Sequence, residues 1–226
     1  MSTATSPLPK VIAIDGPTAS GKGTVASLVA AQLGYHYLDS GAIYRVLAVA
    51  SEHAALDVAK PEHQDALVKL AWSLPVEFVG DRVVLQGLDV SAAIRTEEAG
   101  LHASKLAVVP DIRAGLLQRQ RDFRKAPGLV ADGRDMGSVV FPDASLKVFL
   151  TASAQVRAER RVRQIEGRGQ KADFQAIHAD LVARDERDMQ RAVAPLKPYP
   201  DSRVLDCSDM GIEQVVQTII GWAQSV

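Results

Sequence analysis

A single cysteine, no long apolar run and almost no net charge set the first limits on this 226-residue chain. Cys207 alone can form neither an intrachain disulfide nor a thiolate-rich metal site, so a reducing compartment, the cytoplasm, is the expected home. The five histidines, His36, His53, His63, His102 and His178, fall without metal-ligand spacing and read as solvated or packed side chains. No apolar run approaches the roughly 20 residues that span a bilayer, and a net charge of −1 argues against a nucleic-acid coat. Residues 1–10 carry Ser, Thr and Pro without an apolar core or an arginine-rich face, so a flexible tail is expected there and not a targeting peptide.

What is present suits one globular core. The chain is 47% hydrophobic and 23% charged, long enough for a single α/β domain with a small insertion. Residues 11–14 (VIAI) form the short apolar run of a parallel strand buried on both faces, and they lead directly into a glycine-rich turn. A helix follows from Lys22, with Val25, Leu28, Val29 and Leu33 on one stripe and Gly34 placed to end it. Residues 35–38 read as a second strand, and 40–50 as a helix with Ile43, Val46 and Leu47 inward. The alternation breaks over 61–96, where 76–79 (VEFV) and 82–85 (RVVL) flank Gly80-Asp81 as a hairpin. Helical pattern resumes at 97–107 and from Pro110 to 123. Residues 129–131, 146–150 and 203–207 supply three more strands, and 212–223 a last amphipathic helix. The predicted class is α/β: a parallel sheet of about five strands flanked by helices, with its core in 11–60 and 97–226 and a small β-containing insert at 61–96.

The strongest local feature is Gly16-Pro17-Thr18-Ala19-Ser20-Gly21-Lys22-Gly23-Thr24, set between the first strand and the first helix, where a phosphate-binding P-loop must sit. Glycines let backbone N–H groups close around phosphate oxygens, the helix N-terminus adds the positive end of its dipole, and Lys22 reaches the terminal phosphates. The Ser or Thr that usually follows the lysine and holds Mg²⁺ is replaced here by Gly23, with Thr24 one place later. No residue is therefore assigned as a direct metal ligand, and the ion would accompany the ATP phosphates near Thr24.

The acceptor is read from the cations. A phosphate acceptor is already an anionic nucleophile and needs positive charge to offset repulsion, whereas a hydroxyl acceptor wants a carboxylate base. Arg45, Arg113, Arg134, Arg160, Arg161, Arg184 and Arg191 fall near strand ends or helix starts, where open α/β sheets bind ligands, so the surplus favours a phosphate-bearing acceptor. Two other readings stay open from the residues alone. One is a P-loop kinase for a different nucleotide or a small metabolite. The other is a nucleotide-dependent RNA-binding module whose arginines face outward.

Five blocks, Ile14-Asp-Gly-Pro17, Ser20-Gly-Lys-Gly-Thr24, Asp39-Ser-Gly-Ala-Ile-Tyr-Arg45, Ala131-Asp-Gly-Arg-Asp-Met-Gly137 and Arg191-Ala-Val-Ala-Pro-Leu196, give the chain a close resemblance to the bacterial cytidylate kinases over nearly its whole length. The resemblance implies ATP-dependent phosphorylation of CMP and dCMP, with Mg²⁺ accompanying ATP, by a cytoplasmic monomer that binds no nucleic acid or membrane. It places the ATP phosphates on residues 16–24, with Arg157 and Arg160 as further ATP contacts. Arg45, Arg134 and Arg191 would hold the acceptor phosphate, and Ser40, Tyr44 and Asp132 would line the same pocket. Ser104, Arg113 and Asp135 are placed around cytosine, where a carboxylate can accept from the exocyclic amino group and a guanidinium can donate to the ring. Arg184 and Asp188 are placed near the sugar. Lys22, Arg134, Arg160, Arg161 and Arg191 are the implied catalytic cations, and 157–172 the implied short lid. The insert at 61–96 corresponds to the monophosphate-binding subdomain of that family. Ser138 stands where the family commonly has threonine, and Thr151 where an aspartate often follows the strand.

Overall fold

Alternate residues of one short strand divide the fold into two packed layers. In β1 (Lys10–Asp15), Val11 and Ala13 join one hydrophobic cluster while Ile12 and Ile14 join the other, and all four are buried. The structure, a computed structural model, describes residues 8–79, 82–167 and 169–226. The tail expected at 1–10 thus falls largely outside the described residues, as do Gly80-Asp81 of the predicted hairpin turn and Arg168 of the predicted lid.

β1 lies at the centre of a five-stranded sheet between β6 (Gly128–Gly133) and β7 (Leu146–Thr151), with β2 (His36–Asp39) and β8 (Arg203–Asp206) outermost. Every pairing is parallel, with Asp15 opposite Gly133 and His36 opposite Leu129. The predicted parallel sheet is what the chain builds. β1 and β6 carry almost continuous apolar runs because helices cover both faces.

On one face lie α1 (Lys22–Leu33) and α8 (Ile212–Gln224), packed through Val25, Val29, Val215 and Ile219. Gly34 ends α1 in the left-handed conformation (φ 65°), as the glycine suggested. On the other face lie α2 (Ser40–His53), α4 (Glu97–Leu106) and α5 (Pro110–Arg121). Asp39 caps α2 by accepting from the Ala42 N–H at 2.8 Å, and Thr96 caps α4 from the Ala99 N–H at 3.1 Å. The segment 61–96 holds more than a hairpin. α3 (Gln64–Ser73) precedes an antiparallel sheet of β3 (Val76–Val79), β4 (Arg82–Leu85) and β5 (Leu88–Asp89), and Leu67, Leu74 and Leu85 reach the same cluster as Val11 and Ala13 of β1. α6 (Ala154–Glu166) and α7 (Phe174–Met189) pack against each other beyond β7.

Candidate active site

At the carboxyl end of β1 the chain passes so close to β7 that a Cβ on residue 16 would lie 2.0 Å from the Leu150 carbonyl oxygen, a contact only glycine avoids. Ala19 (φ 61°) and Gly21 (φ 91°) take left-handed conformations, and the loop they curl opens onto the N-terminus of α1, whose first residue is Lys22. Lys22 is buried, and its Nζ donates to the Pro17 carbonyl at 3.2 Å. Burial, reinforced by the Arg134 charge, lowers its pKa to about 7, so phosphate oxygens brought beside it would restore the full ammonium charge. The glycine that follows has a local reason: a Cβ on Gly23 would crowd Asp132 Oδ2 at 3.2 Å. Asp132 also accepts from the Tyr37 hydroxyl at 2.7 Å, and burial together with neighbouring Asp39 pushes its pKa up to about 6.

Deeper in the cleft, arginines gather around one carboxylate. Asp188, almost fully buried, accepts from Arg134 Nε at 2.8 Å through Oδ2 and from Arg191 through Oδ1. Burial would raise its carboxyl pKa, but Arg134 and Arg191 outweigh that and hold it below the usual range. Arg134 also donates to Thr18 Oγ1 at 2.5 Å, which ties the P-loop to the arginine group. Arg45 pairs with Asp39 at 2.6 Å. Arg184 has no hydrogen bond or ion pair among the described residues, and burial lowers its pKa to about 10. The Nε atoms of Arg45, Arg184 and Arg191 and the Ser104 hydroxyl are buried without a partner. A buried polar atom left unsatisfied costs about 1–3 kcal/mol, so this surplus of donors suits an anionic ligand.

On the side formed by α2, α4 and α5, Arg113 and Asp135 make a buried ion pair, and Arg113 also donates to the Ala107 carbonyl at 3.2 Å. Burial raises the Asp135 carboxyl pKa despite Arg113. Burial likewise raises the Tyr44 hydroxyl to about 12 beside these two groups. Below them Asp15, the last residue of β1, accepts from the N–H groups of Met136 (2.8 Å) and Gly137 (2.9 Å) and from the Tyr199 hydroxyl (2.6 Å). One carboxylate thus anchors the turn that presents Arg134 and Asp135, immediately before the loop that begins at Gly16.

The P-loop, the arginine group and the Arg113–Asp135 pair line one cleft of about 690 Å³. Thr18, Ala19, Lys22, Gly23 and Thr24 border it on the P-loop side. Arg45, Arg134, Arg184, Asp188 and Arg191 line it too, with Asp132 and Arg161. Ser40 and Tyr44 from α2, Ser104 from α4 and Arg113 from α5 complete the lining with Asp135. Gly16, Pro17, Ser20 and Gly21 belong to the loop backbone without lining the cleft. Arg157 and Arg160 stand apart from it: Arg157 donates to the Ala152 and Thr18 carbonyls and pairs with Asp185, and Arg160 donates to the Ser20 and Cys207 carbonyls. Both hold the outside of the P-loop. Arg161 pairs with Glu97 on α4. Sequence reasoning passed over Tyr37, Asp39, Glu97 and Gln164, which line the cleft, and Asp15, Gln120 and Tyr199, which support it. Asp39 had a usable signal, because it stands at the carboxyl end of a strand and caps the following helix.

The sequence model of the cytidylate kinase family matches residues 12–225. A cytidylate kinase from Cupriavidus necator is 55% identical over 216 residues, 96% of each chain. One from Chromobacterium violaceum is 54% identical over 212 residues, 94% of each chain. Among solved structures, an uncharacterized protein from Eubacterium ventriosum superposes with a TM-score of 0.54 at 14% identity over 96% of this chain and 99% of that one, a likeness of fold.

Proposed function

The chain belongs to the cytidylate kinase family, and from that premise we propose that the cleft is where the γ-phosphoryl group of ATP passes to CMP. The chain is an ATP-dependent kinase of CMP, giving ADP and CDP. The observation that carries the assignment of the site is that the P-loop lysine, four arginines and the Arg113–Asp135 pair border one cavity. The reading that required outward-facing arginines loses its support, since Arg113, Arg134, Arg184 and Arg191 all line that cavity.

The ATP phosphates lie in the loop of residues 16–24, with Lys22 on the terminal phosphates. A phosphate oxygen of CMP attacks the γ-phosphorus, and the bond from that phosphorus to the β,γ-bridging oxygen breaks to release ADP. Arg45, Arg134, Arg184 and Arg191 lower the repulsion between the two anions and hold them in line, which is most of what phosphoryl transfer asks of a protein. Arg134, bonded to both Thr18 and Asp188, links donor and acceptor sides. Arg161 contributes from α6 at the edge of the cleft, while Arg157 and Arg160 keep the loop in shape. Asp135 accepts from the cytosine amino group and Arg113 donates to the ring.

Mg²⁺ with ATP fits the residues present. Asp132 and Thr24 are hard oxygen donors beside the loop, and both line the cleft. Among the described residues no group of three or more His, Cys, Asp and Glu could hold an ion alone, so phosphates and water would complete its ligands. The ion would supply neutralisation of phosphate charge.

Asp188 is engaged by Arg134 and Arg191 through one bond to each oxygen, and its remaining lone pairs can accept from a ribose hydroxyl; we extend the acceptor to dCMP, which offers the same phosphate and base. No helix among the described residues is long and apolar enough to cross a membrane. We place the enzyme in the cytoplasm as a monomer, working on small nucleotides. Transfer of label from γ-³²P-ATP to CMP tests the assignment. Asp135→Ala should lose most CMP turnover and narrow the preference over UMP. An unchanged preference would remove Asp135 from the base.

A further inference from the structure

One buried side chain outside the cleft decides which way a cleft hydroxyl points. Gln120 lies on α5 two turns beyond Arg113, is 2% exposed, and does not line the cavity. Ser40, at the start of α2, does line it. The Ser40 hydroxyl donates to Gln120 Oε1 at 2.8 Å, and Gln120 Nε2 donates to the Leu116 carbonyl at 3.2 Å. That second bond fixes the amide. A carbonyl can only accept, so the nitrogen of Gln120 must face Leu116 and its oxygen must face Ser40. The oxygen carries no proton, so Ser40 has to spend its single hydroxyl proton on it.

Ser40 therefore presents only lone pairs to the cleft. A phosphate offers nothing but lone pairs and would be repelled there; a donor group is required. Ser40 and Tyr44 stand one turn apart on α2 and Arg113 and Gln120 two turns apart on α5, so the locked hydroxyl belongs to the wall of the cleft that these helices share with the Arg113–Asp135 pair, the side assigned to the base. Asp135, paired with Arg113, is also an acceptor. The amino group of cytosine has two N–H bonds to share between two such acceptors, whereas uracil carries an oxygen at that position.

We propose that Gln120 is a specificity-determining positioning residue: by locking the Ser40 hydroxyl as an acceptor it sets the enzyme against UMP, without touching substrate. The proposal rests on the reading of the cleft as the CMP site. It also separates Ser40 from the phosphate-binding group.

The test measures kcat/KM for CMP and for UMP in the parent, Gln120→Met, Ser40→Ala and the double variant. Methionine keeps the volume and removes the acceptor, freeing the Ser40 proton to meet uracil. The ratio of CMP to UMP kcat/KM should fall about tenfold in Gln120→Met, as expected for one buried hydrogen bond turned from match to mismatch. Ser40→Ala should lower it by a similar factor, and adding Gln120→Met to Ser40→Ala should change it no further. A support that merely stiffened the fold would reduce both substrates alike and would act equally in both backgrounds. The proposal is overturned if the ratio in Gln120→Met stays within twofold of the parent, or if Gln120→Met lowers it as much on top of Ser40→Ala. Should Gln120→Met fail to fold, Ser40→Ala with an unchanged ratio is sufficient to overturn it. Failure of the parent to phosphorylate CMP would instead sink the reading of the cleft.

Discussion

Replacing Asp188 by asparagine probes the arginine group at its centre. The substitution keeps shape and removes charge, leaving Arg134 and Arg191 beside a neutral amide. At an effective dielectric of about 20, a charge pair 4 Å apart is worth about 4 kcal/mol, so two pairs give a gross loss of about 8 kcal/mol. Part is returned because an amide costs less to bury than a carboxylate, and breaking a buried pair leaves a net cost of about 3–5 kcal/mol. For a chain of this size that is a Tm lower by roughly 6–20 °C. Urea unfolding of Asp188→Asn at neutral pH, followed by circular dichroism, measures the loss directly. CMP should then raise Tm more in the variant than in the parent, because its phosphate gives the two guanidinium groups the partner they lost. A loss below about 1 kcal/mol, the range of a surface pair, together with equal CMP shifts in both proteins, would refute the reasoning.

Two further substitutions test the frame around the site. Asp15 ionises in the folded protein at about 6 against an ordinary 3.8, because burial outweighs its three hydrogen bonds; its folded pKa is raised, so the protein binds that proton more tightly folded than unfolded. The parent should therefore gain up to about 3 kcal/mol over Asp15→Asn as pH falls from 7 toward 4, read by urea unfolding across that range, and a pH-independent difference would contradict it. Gly16→Ala must displace the P-loop from the Leu150 carbonyl; a stability loss of about 1–3 kcal/mol and a marked rise in the KM for ATP are expected, and unchanged kinetics would show that the loop has room.

Much of the fold was legible because the three inner strands of the parallel sheet carry short apolar runs next to a turn or cap, as at residues 11–14 and Gly16. α3 was not read: its buried side comes down to Leu67 and Ala71, while Trp72 stays exposed, so the stripe is too thin to stand out. β5 is two residues long and has no pattern of its own. In the cleft, residue types and motif blocks were enough to name most lining side chains. Direction was the harder matter. Arg157, Arg160 and Arg161 are neighbours on α6, and only the docking of that helix on the P-loop and on α7 turns the first two toward backbone carbonyls and the third toward Glu97. The support of Asp15 by Tyr199 joins residues 184 positions apart, and the Ser40–Gln120 bond joins residues 80 apart. Neither pairing leaves a local trace in sequence, since each partner alone looks like an ordinary strand-end acid, aromatic or helix-surface amide.

The central claim, that this cleft moves a phosphoryl group to CMP on the strength of its P-loop lysine, is tested most directly by initial rates of ADP release from Mg-ATP with CMP, UMP, AMP or no acceptor, in the parent and in Lys22→Ala. The account predicts release that depends on CMP, is far slower with UMP and AMP, and is lost in Lys22→Ala. ADP release independent of acceptor, or CMP-dependent release that survives Lys22→Ala, would contradict it.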